Sequence, residues 1–185
     1  MIHSIVDFIF SYLCHQEADR CWAIGGNILP FCQRCTGVYV GAGLMLFLLP
    51  LMKFKSNWKI LLLHILFLVQ MIIFGYHLIP HNATIRTLSG QLFIIGALYF
   101  IWYNIQNRWN LIQSDSKPYS YFGGIIATLL FLQLLIHTPF LFSFVLVEIL
   151  SLVGILTILS SALTTLILFF YHPKFSSAKN SQRQL

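Results

Sequence analysis

The sequence predicts an all-α polytopic membrane protein: a transmembrane helical bundle of about five spans, plus an N-terminal interfacial helix and a Cys-rich loop. Two observations carry this. Of 185 residues, 58% are apolar and 9% charged, where an ordinary soluble domain has about 25% charged residues. Mean hydropathy is +0.80, and the apolar residues fall into windows of crossing length, about 20 residues each, bounded by charge or proline. A soluble globular protein is excluded. The 11 basic and 5 acidic residues give a net charge of +6. The basic residues are scattered singly between apolar runs and form no stripe that could track phosphates, so no nucleic-acid partner is expected. The expected partner is the lipid bilayer.

The first segment carries Ile2, Ile5, Val6, Ile9, Phe10 and Leu13 at three- and four-residue spacing, the pattern of a helix in the membrane interface or against the bundle. It has no Lys or Arg, and Asp7 sits in its middle, unlike the basic start of a cleaved signal peptide, so it is expected to stay in the mature protein. Crossings are expected over residues 36–52, 58–79, 88–105, 121–136 and 142–171. Pro50, Pro80, Pro139 and Pro173 sit at or near span ends, where a missing backbone donor does least harm. Gly37, Gly41 and Gly43, and the cluster Ser160, Ser161, Ala162, Thr164 and Thr165, read as surfaces for close helix approach. Trp58, Trp102, Tyr103 and Trp109 read as interfacial anchors. These elements make one transmembrane domain, 1–173, with a Cys/His-rich segment at 1–35 and the bundle at 36–173. Residues 174–185 form a polar tail expected to be disordered.

Five crossings put Lys53, Lys55, Lys59, Arg108, Lys117, Lys174, Lys179 and Arg183 on one side, and Arg20, Arg34 and Arg86 on the other. Basic residues in short loops mark the cytoplasmic side. The expected orientation in a prokaryotic cytoplasmic membrane therefore has the N-terminus outside and the C-terminus inside.

All four cysteines fall within residues 14–35, as Cys14-His15-Gln16, Cys21 and Cys32-Gln33-Arg34-Cys35. Gly25-Gly26-Asn27 marks a turn able to fold Cys14-His15 back onto the C-x-x-C pair. Two sulfurs at that spacing can chelate one tetrahedral ion, with Cys14 and either His15 or Cys21 completing the set, so zinc or a similar metal is one reading. A second is thiol–disulfide exchange: Cys35 opens a predicted helix beside Arg34, and the helix end and cation both favour a thiolate. A structural disulfide pinning the loop is the third.

The run Cys14-His15-Gln16, Arg20, Gly26, Leu29-Pro30, Cys32-x-Arg34-Cys35-Thr36-Gly37-x-Tyr39-x-Gly41 resembles the signature of a prokaryotic membrane protein family catalogued as domain of unknown function 2085. The segment Asn82-Ala-Thr-Ile-Arg86-Thr-Leu-Ser89-Gly90 is similar to that family's second motif. Cys21 stands where the family has a Ser, and Phe74-Gly75 where it tends to carry an acid before Gly. The resemblance implies a small polytopic membrane protein and carries over no activity. It also favours Cys14, His15, Cys32 and Cys35 over Cys21 as metal ligands.

Arg20, Arg34 and Arg86 share the cation-poor side with Asn82, and Arg clamps carboxylate or phosphate bidentately, so an acidic lipid or small anionic ligand is a further candidate partner. The plainer alternative is that Arg86 snorkels or caps its neighbours. Glu148, the one acid expected inside a span, could join that contact set or simply be solvated near the interface. His64 reads as a polar contact between helices, and His77 and His81 as a second, weaker metal pair interrupted by Pro80. No phosphate loop, Ser-centred nucleophile motif or internal repeat is present. The sequence thus carries three functional readings: a zinc-binding membrane protein, a membrane thiol oxidoreductase using Cys32 and Cys35 with Cys14, Cys21 or a quinone-like partner, and a lipid- or anion-handling protein.

Overall fold

A computed structural model describes residues 2–15, 17–52, 54, 57–75, 82–108 and 118–171. Among these residues six helices follow in order: α1 (Ile2–Leu13), α2 (Gln33–Leu48), α3 (Trp58–Gly75), α4 (Ala83–Arg108), α5 (Tyr119–His137) and α6 (Leu141–Tyr171). Among the described residues, four helical segments are long and apolar enough to cross a membrane: Gln33–Met52, Ala83–Gln106, Tyr119–His137 and Leu141–Phe170. α3 adds a shorter apolar stretch, Trp58–Phe74, and the end of its expected span at 79 lies outside the described residues. So do His77, Pro80, His81, Lys53, Lys55, Trp109, Lys117 and the tail 174–185.

The Cys-rich segment is more ordered than a loop. After a 3₁₀ turn, Ala18–Arg20, it forms strands β1 (Cys21–Ile24) and β2 (Asn27–Cys32), paired antiparallel with Cys21 opposite Cys32 and Ile24 opposite Asn27. Gly25 and Gly26 have φ of +56° and +82°, the left-handed values that a two-residue hairpin turn needs and that only glycine adopts freely. The strands carry no clean apolar–polar alternation, because Leu29, Pro30 and Phe31 are all buried in succession.

Packing around α2 sets the architecture. Gly37 lies against the Thr87 carbonyl of α4, and a side chain at Gly41 would meet Gln91 and Ile94 at 2.9 Å. Near the far end, Gln106 of α4 donates to the Leu49 carbonyl, so α2 and α4 run parallel. On another face Gly43 abuts the Leu150 carbonyl of α6, and Gly154 abuts Tyr39. Small residues permit this backbone contact, which a Cβ would block.

α3 and α5 run the opposite way. Gln70 of α3 donates to the Ser89 carbonyl at 2.8 Å, while the His64 carbonyl, two turns earlier, faces Gly96. In α5, Gly124 lies against Leu48, and the His137 ring lies 5.6 Å from that of Trp22 in β1. The hairpin, the first turns of α2 and α4, the end of α3 and the 138–140 turn therefore gather at one end of the bundle. Gly25 at the hairpin tip faces the Pro139 carbonyl.

Each end has its own core. At the hairpin end, Val6 and Phe10 of α1 pack with Ile24, Leu29, Phe31, Val40, Leu132 and Val147. The amphipathic spacing of α1 thus resolves as a helix seated on the bundle through Val6 and Phe10, with Phe8 and Tyr12 left exposed. At the other end Met45, Met52, Phe54, Leu98, Tyr99 and Tyr121 form the core. His64 bridges helices there, as expected: its ring contacts the Ile60 carbonyl at 2.7 Å and the Tyr121 hydroxyl at 2.9 Å, and stacks on Tyr99. Trp102 departs from the interfacial-anchor expectation. It is buried, and its indole N–H donates to Ser161 Oγ at 2.8 Å, because its face of α4 is turned toward α6 rather than lipid.

Gly154→Ala is expected to destabilise the bundle by about 3 kcal/mol, the upper end for overpacking, since the new methyl meets backbone. Gly123→Ala, with open space at its Cβ position, is expected to gain up to about 1 kcal/mol from helix propensity. Thermal unfolding of the two variants in one detergent checks both.

Candidate functional site

The site begins with how three sulfurs reach one point from two segments. Phe10 packs its ring 4.4 Å from Phe31 of β2 and 5.0 Å from Tyr39 of α2. That seats the end of α1, and Cys14, whose N–H donates to the Phe10 carbonyl, lies beside the start of α2. Cys32 is the N-cap of α2, with extended backbone (φ −69°, ψ 161°). Cys35 follows in the first turn of the helix. The thiols of Cys14, Cys32 and Cys35 lie within 4.8 Å of one another, each half-buried. Zinc–sulfur bonds of about 2.3 Å place tetrahedral thiolates roughly 3.8 Å apart, so small side-chain adjustments bring these sulfurs onto one ion.

The backbone at the start of α2 contributes to the cluster. The Cys32 N–H donates to Cys14 Sγ at 3.2 Å, an orienting contact of the kind that tunes metal-bound ligands. The free N–H groups of the first turn of α2 add their partial positive charge. Three thiols so close can hold a metal ion.

His15 and Cys21 are placed differently. The structure does not bring His15 to the sulfurs: its side chain is 90% exposed and its Nε2 lies 3.7 Å from Glu17 Oε1. The physical reason is that Cys14 and His15 lie past the end of α1, where neighbouring side chains leave the backbone in different directions. Cys21 sits opposite Cys32 in the hairpin, but its thiol donates to the Glu17 carbonyl at 3.2 Å. Burial first, then the nearby Cys14 and Cys32 thiols and Asp19, push it up to about 11, so it stays protonated at neutral pH.

The arginines expected to share a face do converge. Arg20, Arg34 and Arg86 line one cleft of about 280 Å³ together with Cys32, Gln33 and Cys35. Arg20 is held by Glu17 at 2.8 Å. Arg34 donates to the Phe74 carbonyl at the end of α3, 2.9 Å, and Arg86 to Gln33 Oε1, 3.4 Å. Asn82 stands apart as the cap of α4, its Oδ1 accepting the Ile85 N–H at 2.9 Å. Glu148 is buried in α6 at 2% exposure and is not among the residues lining the cleft.

Two contributors were not singled out by the sequence reading. Gln33 is 8% exposed and orients Arg86. Trp22 donates its indole N–H to Thr87 Oγ1 at 2.8 Å, tying the hairpin to α4. The available signal was a Gln opening an apolar span and a Trp inside a polar stretch. Trp22→Phe removes that tie at a cost of about 1 kcal/mol. The expected readout is faster maleimide labelling of Cys14 and Cys35, followed by peptide mass spectrometry.

Residues 14–100 match a family model described as "Predicted membrane protein (DUF2085)", which bears out the resemblance read from the cysteine and Asn-Arg motifs. The chain is 36% identical over 70 residues to an uncharacterised protein of Methanothermobacter thermautotrophicus, covering 36% of this chain and 60% of the relative. It is 33% identical over 52 residues to an uncharacterised protein of Methanocaldococcus jannaschii, covering 28% of this chain and 33% of the relative. The chain thus spans less than two thirds of either relative. No solved structure matches it.

Proposed function

We propose that this membrane protein binds zinc, or a similar thiophilic ion, through the thiolates of Cys14, Cys32 and Cys35. The observation that carries the reading is the meeting of those three sulfurs within 4.8 Å at the N-terminus of α2. Three protein ligands leave one tetrahedral position for a water or substrate atom, the arrangement of catalytic rather than purely structural zinc. Two of the sulfurs, on Cys32 and Cys35, belong to residues that also line the arginine cleft, so the cluster adjoins that cleft.

The same reading places the site on the outer face of a prokaryotic cytoplasmic membrane. The bias of Lys and Arg toward the connections at the opposite end supports it.

Elemental analysis of the full chain, purified in mild detergent without chelator or polyhistidine tag, is expected to find about one zinc per chain. Cys14→Ser, Cys32→Ser and Cys35→Ser should each lose it, while His15→Ala and Cys21→Ser keep it. Folded protein without metal overturns the proposal and gives the cysteines to disulfide chemistry. A fluorescent-protein fusion after Leu185 is expected to be fluorescent, as a cytoplasmic C-terminus requires, and a periplasmic reporter enzyme at the same position inactive.

A further inference from the structure

The geometry points to an oxyanion site of the phosphate class in the cleft where Arg20, Arg34 and Arg86 converge. It needs only the arginines and does not rest on the metal reading. Charge accounting comes first. Arg20 is compensated by Glu17, with Asp19 at 3.9 Å. Among the described residues neither Arg34 nor Arg86 has a carboxylate partner, and the hydrogen bonds they make go to neutral acceptors, the Phe74 carbonyl and the Gln33 amide. Among the described residues, the cleft therefore holds two guanidinium charges without a carboxylate.

Donor accounting points the same way. A guanidinium presents five N–H donors in one plane. Among the described residues the Nε–H groups of both Arg34 and Arg86 are buried without a hydrogen-bond partner, and an unmet buried donor costs about 1–3 kcal/mol, more when charged. An anion in the cleft supplies charged acceptors to guanidinium groups whose hydrogen-bond partners named above are neutral.

Shape selects the class of anion. One guanidinium fork satisfies the two oxygens of a planar carboxylate. Here three arginines approach from three elements, the 3₁₀ turn, α2 and α4, an arrangement matched by oxygens distributed tetrahedrally. The 280 Å³ cleft is below the usual range for drug-sized ligands, about 300–1,000 Å³, and suits a phosphate group with little attached inside it. Arg34 and Arg86 lie in the first turns of α2 and α4, whose parallel packing aims two positive helix ends at the same place. Because the cleft sits at the end of the bundle, the phosphate can come from a free monoester or a lipid headgroup.

The test uses the full chain in phosphatidylcholine nanodiscs. One arm titrates inorganic phosphate against chloride at equal ionic strength; the other incorporates phosphatidic acid in the nanodisc and reads the thermal transition. Binding of phosphate alone identifies a soluble anion, and stabilisation by phosphatidic acid alone a headgroup; either supports the site. Arg34→Gln and Arg86→Gln are each expected to weaken the response at least tenfold, and Arg20→Gln about threefold. Arg86→Lys keeps the charge, so folding is preserved, but loses the planar fork; it is expected to lose most of the affinity. No response to either ligand, a response that chloride reproduces, or affinity unchanged in Arg86→Lys overturns the inference. Zinc content measured on the same samples keeps failure of the metal reading separate from failure of this one.

Discussion

Backbone contact between α2 and its two parallel neighbours is the constraint on which the rest depends. In hydrocarbon there is no hydrophobic drive bringing one apolar helix to another, so association relies on close packing and internal hydrogen bonds. Gly37, Gly41 and Gly43 on α2, with Gly154 on α6, allow that approach. Its consequence is positional: once α2 and α4 lie parallel with Gly37 on Thr87, their first turns are side by side, and so are Cys35, Arg34 and Arg86.

Polar residues at that end then have a common role. Gln33, Thr87, Ser89 and Gln91 would be expensive facing lipid, but all are nearly inaccessible between helices. Trp22 tethers the hairpin to Thr87, Gln70 satisfies the Ser89 carbonyl, and Gln91 reaches the Thr128 carbonyl at 3.0 Å. The sulfur cluster and the arginine cleft thus rest on a hydrogen-bonded polar layer as well as on the apolar core.

Much of this was legible in the sequence, and the misses share a cause. Hydropathy located α5 to within two residues, since 121–136 was expected and Tyr119–His137 is observed. The start of α4 was placed five residues late, at 88 instead of Ala83, because Arg86 and Thr87 read as the edge of a lipid-facing span although they face protein. The glycine turn was visible, but the strands beside it were not: β2 buries Leu29, Pro30 and Phe31 in a row against α1 and the bundle, erasing the period-two signal. Cys32 and Cys35 follow from their spacing on a helix start. The positions of Cys14 and His15 depend on how α1 seats itself, which composition does not encode.

That seating has a thermodynamic side. Cys14 is delivered by a helix whose fully buried side chains, among the described residues, are Val6 and Phe10, whereas Cys32 caps and Cys35 lies in α2, the helix at the centre of the bundle's packing. A ligand gripping all three sulfurs binds only the docked arrangement, so by linkage it stabilises docking by RT ln(1 + [L]/Kd), about 2.7 kcal/mol at a hundredfold excess over Kd. Ligand binding at the three sulfurs, as proposed, would therefore couple the docking of α1 onto the bundle to free ligand concentration.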